Sequence, residues 1–206
     1  MRRPLSKSPR LKGPLDLSRR RLCVSALAAA AASLLPSPLK ASLEKLARES
    51  AGESDVRALA FHNTHTNEKL DAPYWISGRY QESGVTAIDW ILRDHRTGDV
   101  ARIDPKLLDF LHFLKEQAAG VGAAGASAVY EIVSGYRSPR SNELLRNRSG
   151  SVARHSLHLK GMAADVRLTG VPLTRLHEAA LDLRRGGVGY YTDQFLHVDT
   201  GRVRSW

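Results

Sequence analysis

His158 and Asp165 close the segment Ser156-Leu157-His158-Leu159-Lys160-Gly161-Met162-Ala163-Ala164-Asp165, and His197-Val198-Asp199 answers them further along the chain. Two imidazoles and a carboxylate are three ligands for one divalent metal ion. Three protein ligands leave the fourth corner of a tetrahedron to water, which is the layout of a catalytic zinc rather than a structural one. Water held there is activated for hydrolysis. The single cysteine, Cys23, lies near the N-terminus, so a zinc bound further along must use nitrogen and oxygen. A His-x6-Asp pair alone is a weak signal, because most such pairs are structural hydrogen bonds. Gly161 and Ala163 strengthen it, since small residues let a loop and a strand approach a metal closely.

The elements that must position these groups follow from hydrophobic periodicity. Gly161–Leu168 reads as a strand with period two, Met162, Ala164, Val166 and Leu168 facing a core and Ala163 and Asp165 facing away. Val188–Tyr191 and Phe195–Thr200 read as two closing strands, with His197 and Asp199 on one face of the second. Residues 56–80 alternate apolar and polar around Asn63-Thr64-His65-Thr66-Asn67, which predicts a hairpin and a third strand. Here His62 and His65 have ligand spacing but no third ligand, and read as a solvated turn. Ser83 is the expected cap of a helix with Val85, Ile88, Ile91 and Leu92 on its apolar face. Asp104-Pro105 starts a second helix that buries Leu107, Leu108, Leu111 and Leu114. Val129–Val133 predicts a strand, Ser141–Asn147 a short helix, and Leu173–Arg185 a helix stopped by Gly186-Gly187. Residues 42–54 read as a short helix or a linker, and Gly120–Ala128 as a small-residue loop. The expected fold class is α+β, helices packed on a small antiparallel sheet with the zinc site on that sheet.

The chain has 206 residues and a formal net charge of +10. Residues 1–41 carry nine Lys or Arg and one acidic residue, Asp16, while the remaining 165 are nearly balanced. A nucleic-acid-binding domain would carry its own basic stripe, so nucleic acid is not an expected partner. Ser18-Arg19-Arg20-Arg21-Leu22 has the twin-arginine pattern of a bacterial export signal. An Ala-rich uncharged run follows to Leu35, too short and too weakly apolar to span a bilayer comfortably, and Pro36 and Pro38 break it. Residues 1–41 are therefore expected to be a twin-arginine signal peptide and residues 42–206 a zinc peptidase domain. The export machinery is then a partner, the membrane is met only during export, and the destination is the periplasm.

Ser156-x-His158-x-x-Gly161-x-Ala163-x-Asp165 resembles the zinc motif of the D-Ala-D-Ala metallopeptidases, relatives of the lysostaphin and Hedgehog-type zinc fold. Four further segments make roughly residues 58–206 similar to MepK-like (YcbK-like) murein endopeptidases. They are Trp90–Gly98, Ser134-Gly135-Tyr136-Arg137-Ser138, Gly186–Tyr191 and His197–Trp206. The resemblance implies a Zn2+ cofactor held by His158, Asp165 and His197. It implies a peptidoglycan substrate cut at D-Ala–diaminopimelate cross-links. Arg137 matches the family's active-site arginine, which steadies a substrate carbonyl oxygen or carboxylate, chemistry that suits a guanidinium in a water-poor site. Ser156 and Tyr190 are further candidates for substrate contact, with Tyr191 beside the cleft wall and Trp206 expected to bury against the sheet. The wider family has an acidic general base three positions before the last histidine ligand. Gln194 stands there, and an amide takes no proton from water. Asp193 is the favoured base and Asp199 its rival or a partner of a ligand histidine. Two other readings stay open, a carboxypeptidase that trims D-Ala from stem peptides and a non-catalytic envelope-binding module.

Overall fold

The computed structural model describes residues 55–120, 127–150 and 152–206. The expected signal peptide, the 42–54 segment and most of the Gly120–Ala128 loop lie outside them. Eight strands form one sheet: β1 (Val56–Asn63), β2 (Lys69–Ile76), β3 (Arg79–Tyr80), β4 (Tyr130–Ser134), β5 (Ala163–Leu168), β6 (Gly187–Tyr191), β7 (Phe195–Asp199) and β8 (Arg204–Ser205). Their order across the sheet is β3-β2-β1-β4-β5-β7-β6-β8. Among the described residues four α-helices accompany them: α1 (Glu82–Ile91), α2 (Pro105–Ala119), α3 (Pro139–Arg148) and α4 (Leu173–Leu183).

The α+β class holds, but the sheet is mixed rather than antiparallel. β1 runs parallel to β4, and β6 parallel to β8, while the other neighbours are antiparallel. Between β1 and β4 the chain makes β2, β3, α1 and α2, and a crossover of that length returns a strand in its original direction.

One face of the sheet carries the core. Leu59 and Phe61 of β1, Tyr130 and Ile132 of β4, Ala164 and Val166 of β5, and Leu196 and Val198 of β7 are buried in one cluster. That cluster includes Val85 and Ile88 of α1, Leu107, Leu108, Leu111 and Leu114 of α2, and Leu176 and Ala180 of α4. Met162 precedes β5 and stays half-buried, outside this cluster. Strand alternation then sends Asp165, His197 and Asp199 to the other face.

Helix starts follow capping chemistry where the residue types allow it. The Asp104 carboxylate accepts from the Lys106 N–H at 3.0 Å, with Pro105 at the first helical position. The Ser138 hydroxyl accepts from the Ser141 N–H at the head of α3, which begins earlier than Ser141. Ser83 is not a cap. The Gln81 N–H donates to the Tyr74 carbonyl at 2.8 Å, so the β2–β3 hairpin itself delivers the chain into α1 at Glu82. α4 ends on Arg184 in the left-handed region rather than on glycine.

Candidate metal centre

Asp165 and His197 face each other directly across the antiparallel β5–β7 pair, and Ser134 pairs with Asp165 from the other side. Opposed residues on one face bring side chains within reach without any loop adjustment. His158 arrives separately, in a 3-10 turn over Leu157–Lys160. The Ser156 hydroxyl accepts from the His158 N–H at the head of that turn, and Gly161 ends it with φ of 65°. A side chain at Gly161 would also strike the Arg102 carbonyl. The segment is thus fixed by a cap, a left-handed glycine and a close backbone approach.

Three atoms converge. His158 Nε2 lies 3.2 Å from Asp165 Oδ1, His197 Nδ1 lies 2.8 Å from the same oxygen, and the two nitrogens are 3.2 Å apart. Zinc bonds of about 2.0–2.2 Å at tetrahedral angles place ligand atoms about 3.3–3.5 Å from one another. The cluster is close to that spacing, and nitrogen–oxygen ligands without thiolate suit zinc. All three residues are at most 9 % exposed.

The opposite ring nitrogens set the tautomers. His158 Nδ1 sits 2.7 Å from the Gly135 carbonyl oxygen, which only accepts, so this nitrogen donates and Nε2 keeps its lone pair. His197 Nε2 donates to Asp199 Oδ2 at 3.1 Å, leaving Nδ1 for a cation. This is the outer support that orients metal-binding imidazoles. Gly135 has no room for a side chain, since an added Cβ would collide with the Leu92 carbonyl.

Electrostatics agree with the geometry. Burial would push the Asp165 carboxyl up, but the imidazoles of His158 and His197 outweigh it and hold the group well below the carboxylate range. Burial would push His197 down, but the carboxylates of Asp165 and Asp199 raise it to about 8. Without a metal, that imidazole is charged at neutral pH and donates to Asp165. Ion binding would displace the proton.

Arg137 stands at the same spot. Its Nη2 donates to Ser134 Oγ at 3.1 Å and to Asp165 Oδ2 at 3.2 Å, while its Nε is buried without a hydrogen-bond partner. Burial lowers its pKa. The backbone of this segment is tied down twice. The Arg137 N–H donates to the His158 carbonyl at 3.1 Å, and the Ser138 N–H donates to Asp94 Oδ2 at 2.8 Å. Asp94 lies in the Trp90–Gly98 segment that carries the family resemblance, and the sequence alone assigns it no role. Its side chain is buried all the same.

A cleft of about 660 Å³ opens over the cluster. Leu145 of α3, Val152, Ala153 and His155 line one side, and Tyr191, Gln194, Phe195 and Trp206 line the other. Ser156 and Arg137 line it as expected. Tyr190 does not. It points to the helix side of β6, where its ring stacks on His177 at 4.7 Å, because alternation gives Tyr191 the cleft face. Trp206 is a second correction. It is 52 % exposed rather than buried, its ring 5.3 Å from that of His197. His62 at the end of β1 bonds Asn67, and His65 in the β1–β2 turn bonds the Val133 carbonyl, so neither joins the cluster.

The two rival carboxylates differ. Asp199 is fully buried and saturated. Oδ1 accepts from the Gly187 and Gly201 N–H groups and from Arg204, and Oδ2 from His197 and Arg204. Burial would raise its pKa, but these partners lower it far more. Asp193 is exposed in the β6–β7 turn at φ of 59°, next to the cleft-lining Gln194.

Comparison with known proteins gives a consistent answer. The family model described as peptidoglycan L,D-endopeptidase MepK matches residues 51–206. The chain is similar to the peptidoglycan L,D-endopeptidase MepK of Escherichia coli (strain K12), 35 % identical over 192 residues, which cover 93 % of this chain and 98 % of that one. It is also similar to the probable peptidoglycan L,D-endopeptidase MepK of Haemophilus influenzae, 40 % identical over 151 residues, covering 73 % and 78 %. No solved structure matches.

Proposed function

The chain belongs to the peptidoglycan L,D-endopeptidase MepK family of peptidases, and on that premise we propose that it is a zinc-dependent endopeptidase cutting peptide cross-links of peptidoglycan in the cell envelope. The observation that carries this reading is the convergence of His158 Nε2, Asp165 Oδ1 and His197 Nδ1 within 4.8 Å on the floor of a cleft. These three would hold zinc, which when bound supplies an acidified water and polarises a carbonyl.

The remaining work falls to protein groups. The Gly135 carbonyl and the Asp199 carboxylate keep the two imidazoles in their ligating tautomers. Arg137, itself buried, offers guanidinium N–H groups to the substrate oxygen on which charge develops. Asp199 is too heavily hydrogen-bonded to act as the base, and Gln194 has the wrong chemistry. We therefore assign Asp193 to take the proton from the attacking water and return it to the leaving amine. Ser156 stabilises the His158 turn from the cleft edge.

The relatives are named for a bond between an L and a D centre, whereas the D-Ala–diaminopimelate link suggested by the zinc motif joins two D centres. We place the L,D link first. Purified protein is incubated with muropeptides carrying each cross-link, with zinc and with a chelator. Zinc-dependent separation of an L,D-linked pair supports the assignment. Release of free D-Ala instead would make the protein a carboxypeptidase. Intact cross-links together with binding to sacculi would favour the non-catalytic module, which Gln194 at the expected acid position supports.

We further propose delivery to the periplasm through the twin-arginine signal in residues 1–41. The Ser18–Leu22 pattern and the location of peptidoglycan support it. Changing Arg19, Arg20 and Arg21 to Lys in the full chain should leave the protein in the cytoplasm.

A further inference from the structure

β6 carries no side chain at the first two of its cleft-facing positions, before Tyr191. Gly187 and Gly189 occupy successive positions there, paired with Asp199 and His197 of β7. The space is filled by residues beyond β7. A Cβ on Gly187 would lie 2.5 Å from Asp199 Oδ2 and also strike the Arg204 guanidinium, and one on Gly189 would lie 2.7 Å from the Trp206 ring. β8 pairs parallel to β6 with Gly187 opposite Arg204, and the Tyr190 N–H donates to the Trp206 carbonyl at 3.0 Å. Both side chains are thereby laid along the face from which His197 projects.

Arg204 does more there than fill space. Its Nη2 donates to Asp199 Oδ2 at 2.7 Å and its Nη1 to Asp199 Oδ1 at 3.0 Å, a two-pronged pairing that fixes the plane of a carboxylate. The same Oδ2 receives His197 Nε2. Trp206 backs the arrangement, its ring 4.8 Å from the Arg204 guanidinium and its Nε1 donating to the Tyr191 hydroxyl at 3.4 Å.

We propose that Arg204 is a positioning residue for the metal centre, acting through Asp199 to hold His197 with Nδ1 turned towards Asp165 and His158. It contacts neither the converging ligand atoms nor, on this assignment, the reacting bond. The proposal rests on the reading of His158, Asp165 and His197 as metal ligands. The two prongs require the planar fork of arginine, so lysine replaces them only in part.

The test measures zinc affinity of the metal-free full chain by competition with a chromophoric chelator, for wild type, Arg204→Met and Arg204→Lys. Methionine keeps an apolar stem against Trp206 and removes the guanidinium. Arg204→Met should weaken zinc binding about 10-fold, the low end of the cost of losing an outer partner of a ligand because Arg204 acts through Asp199, and Arg204→Lys should fall between. Thermal unfolding of the metal-free proteins separates this from folding. Nitrogen NMR of labelled histidines in the zinc-loaded proteins gives a direct signature: His197 carries a single Nε2–H opposite a ligated Nδ1 in wild type and gives a mixture of ring states in Arg204→Met. Wild-type affinity in Arg204→Met would overturn the proposal, as would an affinity loss that only tracks loss of the metal-free fold in both variants. A wild-type protein that binds zinc yet leaves cross-links intact removes the endopeptidase reading and leaves this one standing.

Discussion

Replacing Asp94 by Asn tests whether a buried carboxylate that bonds none of the three proposed ligands governs both stability and catalysis. Asp94 is 1 % exposed, and its two oxygens accept the backbone N–H groups of Ser138 and Arg96 at 2.8 and 2.9 Å. Burial would push its carboxyl up, but the hydroxyls of Ser138 and Ser141 and these two amides outweigh that and hold it at about 2. Against an ordinary carboxylate value of about 3.9, the shift corresponds to roughly 2–3 kcal/mol of folding free energy at neutral pH. The direction is set by the lowered pKa. The contribution is complete above about pH 4 and disappears as pH falls through about 2. Asparagine removes the charge and turns an NH2 group towards a backbone donor, so the loss should be about 2–3 kcal/mol. For a domain of this size, that is a fall of roughly 5–10 °C in Tm. Urea unfolding of both proteins from pH 7 down to pH 2.5 should show a gap that narrows below pH 4. Because Asp94 anchors Ser138, the Arg137 segment loosens too, and kcat should fall at pH 7 with zinc affinity little changed. A gap that is absent, or that stays constant with pH, would refute the reasoning.

Three further outcomes follow from the site. Arg137→Lys should lower kcat about 100-fold on cross-linked muropeptides while zinc stays stoichiometric, since lysine lacks the planar guanidinium whose Nη2 bonds Ser134 and Asp165 and whose other N–H groups remain for substrate; wild-type kcat would remove Arg137 from the chemistry. Asp193→Asn should lower turnover about 100-fold or more with zinc binding intact, and an unchanged rate would move the proton acceptor elsewhere. Zinc at a thousandfold excess over Kd should stabilise the chelator-stripped protein by about 4 kcal/mol, read as a rise in Tm; a Tm indifferent to zinc would disprove ligation by the three residues.

Sequence patterns reached the site unevenly, for reasons that lie in the residues. The alternation of Ala164, Val166 and Leu168 against Asp165 put the carboxylate off the core face, and β5 obeys it. The Asp104-Pro105 start and the leucines of α2 were equally plain. Local periodicity carries no information about which strands become neighbours. The parallel β1–β4 pairing was therefore invisible, and with it the mixed character of the sheet. Asp94 sits in a segment that carries the family resemblance, but only the fold shows that a backbone amide from another loop reaches it. Tyr190 was the expected substrate contact, but the register of β6 gives it to α4 and gives Tyr191 to the cleft. Trp206 was expected to bury because tryptophan is large and apolar, yet its amphipathic ring is equally suited to a cleft wall.

The direct opposition of Asp165 and His197 has a consequence for assembly of the sheet. Sliding β7 by a single residue past β5 would reverse every side chain of the strand, sending His197 into the apolar layer and Leu196 or Val198 out to the cation. A chain that slips in this way loses hydrophobic burial and ion binding together. On the proposed ligand set, zinc would reward only the correctly aligned ribbon, and metal uptake would report on strand alignment as well as on catalytic competence.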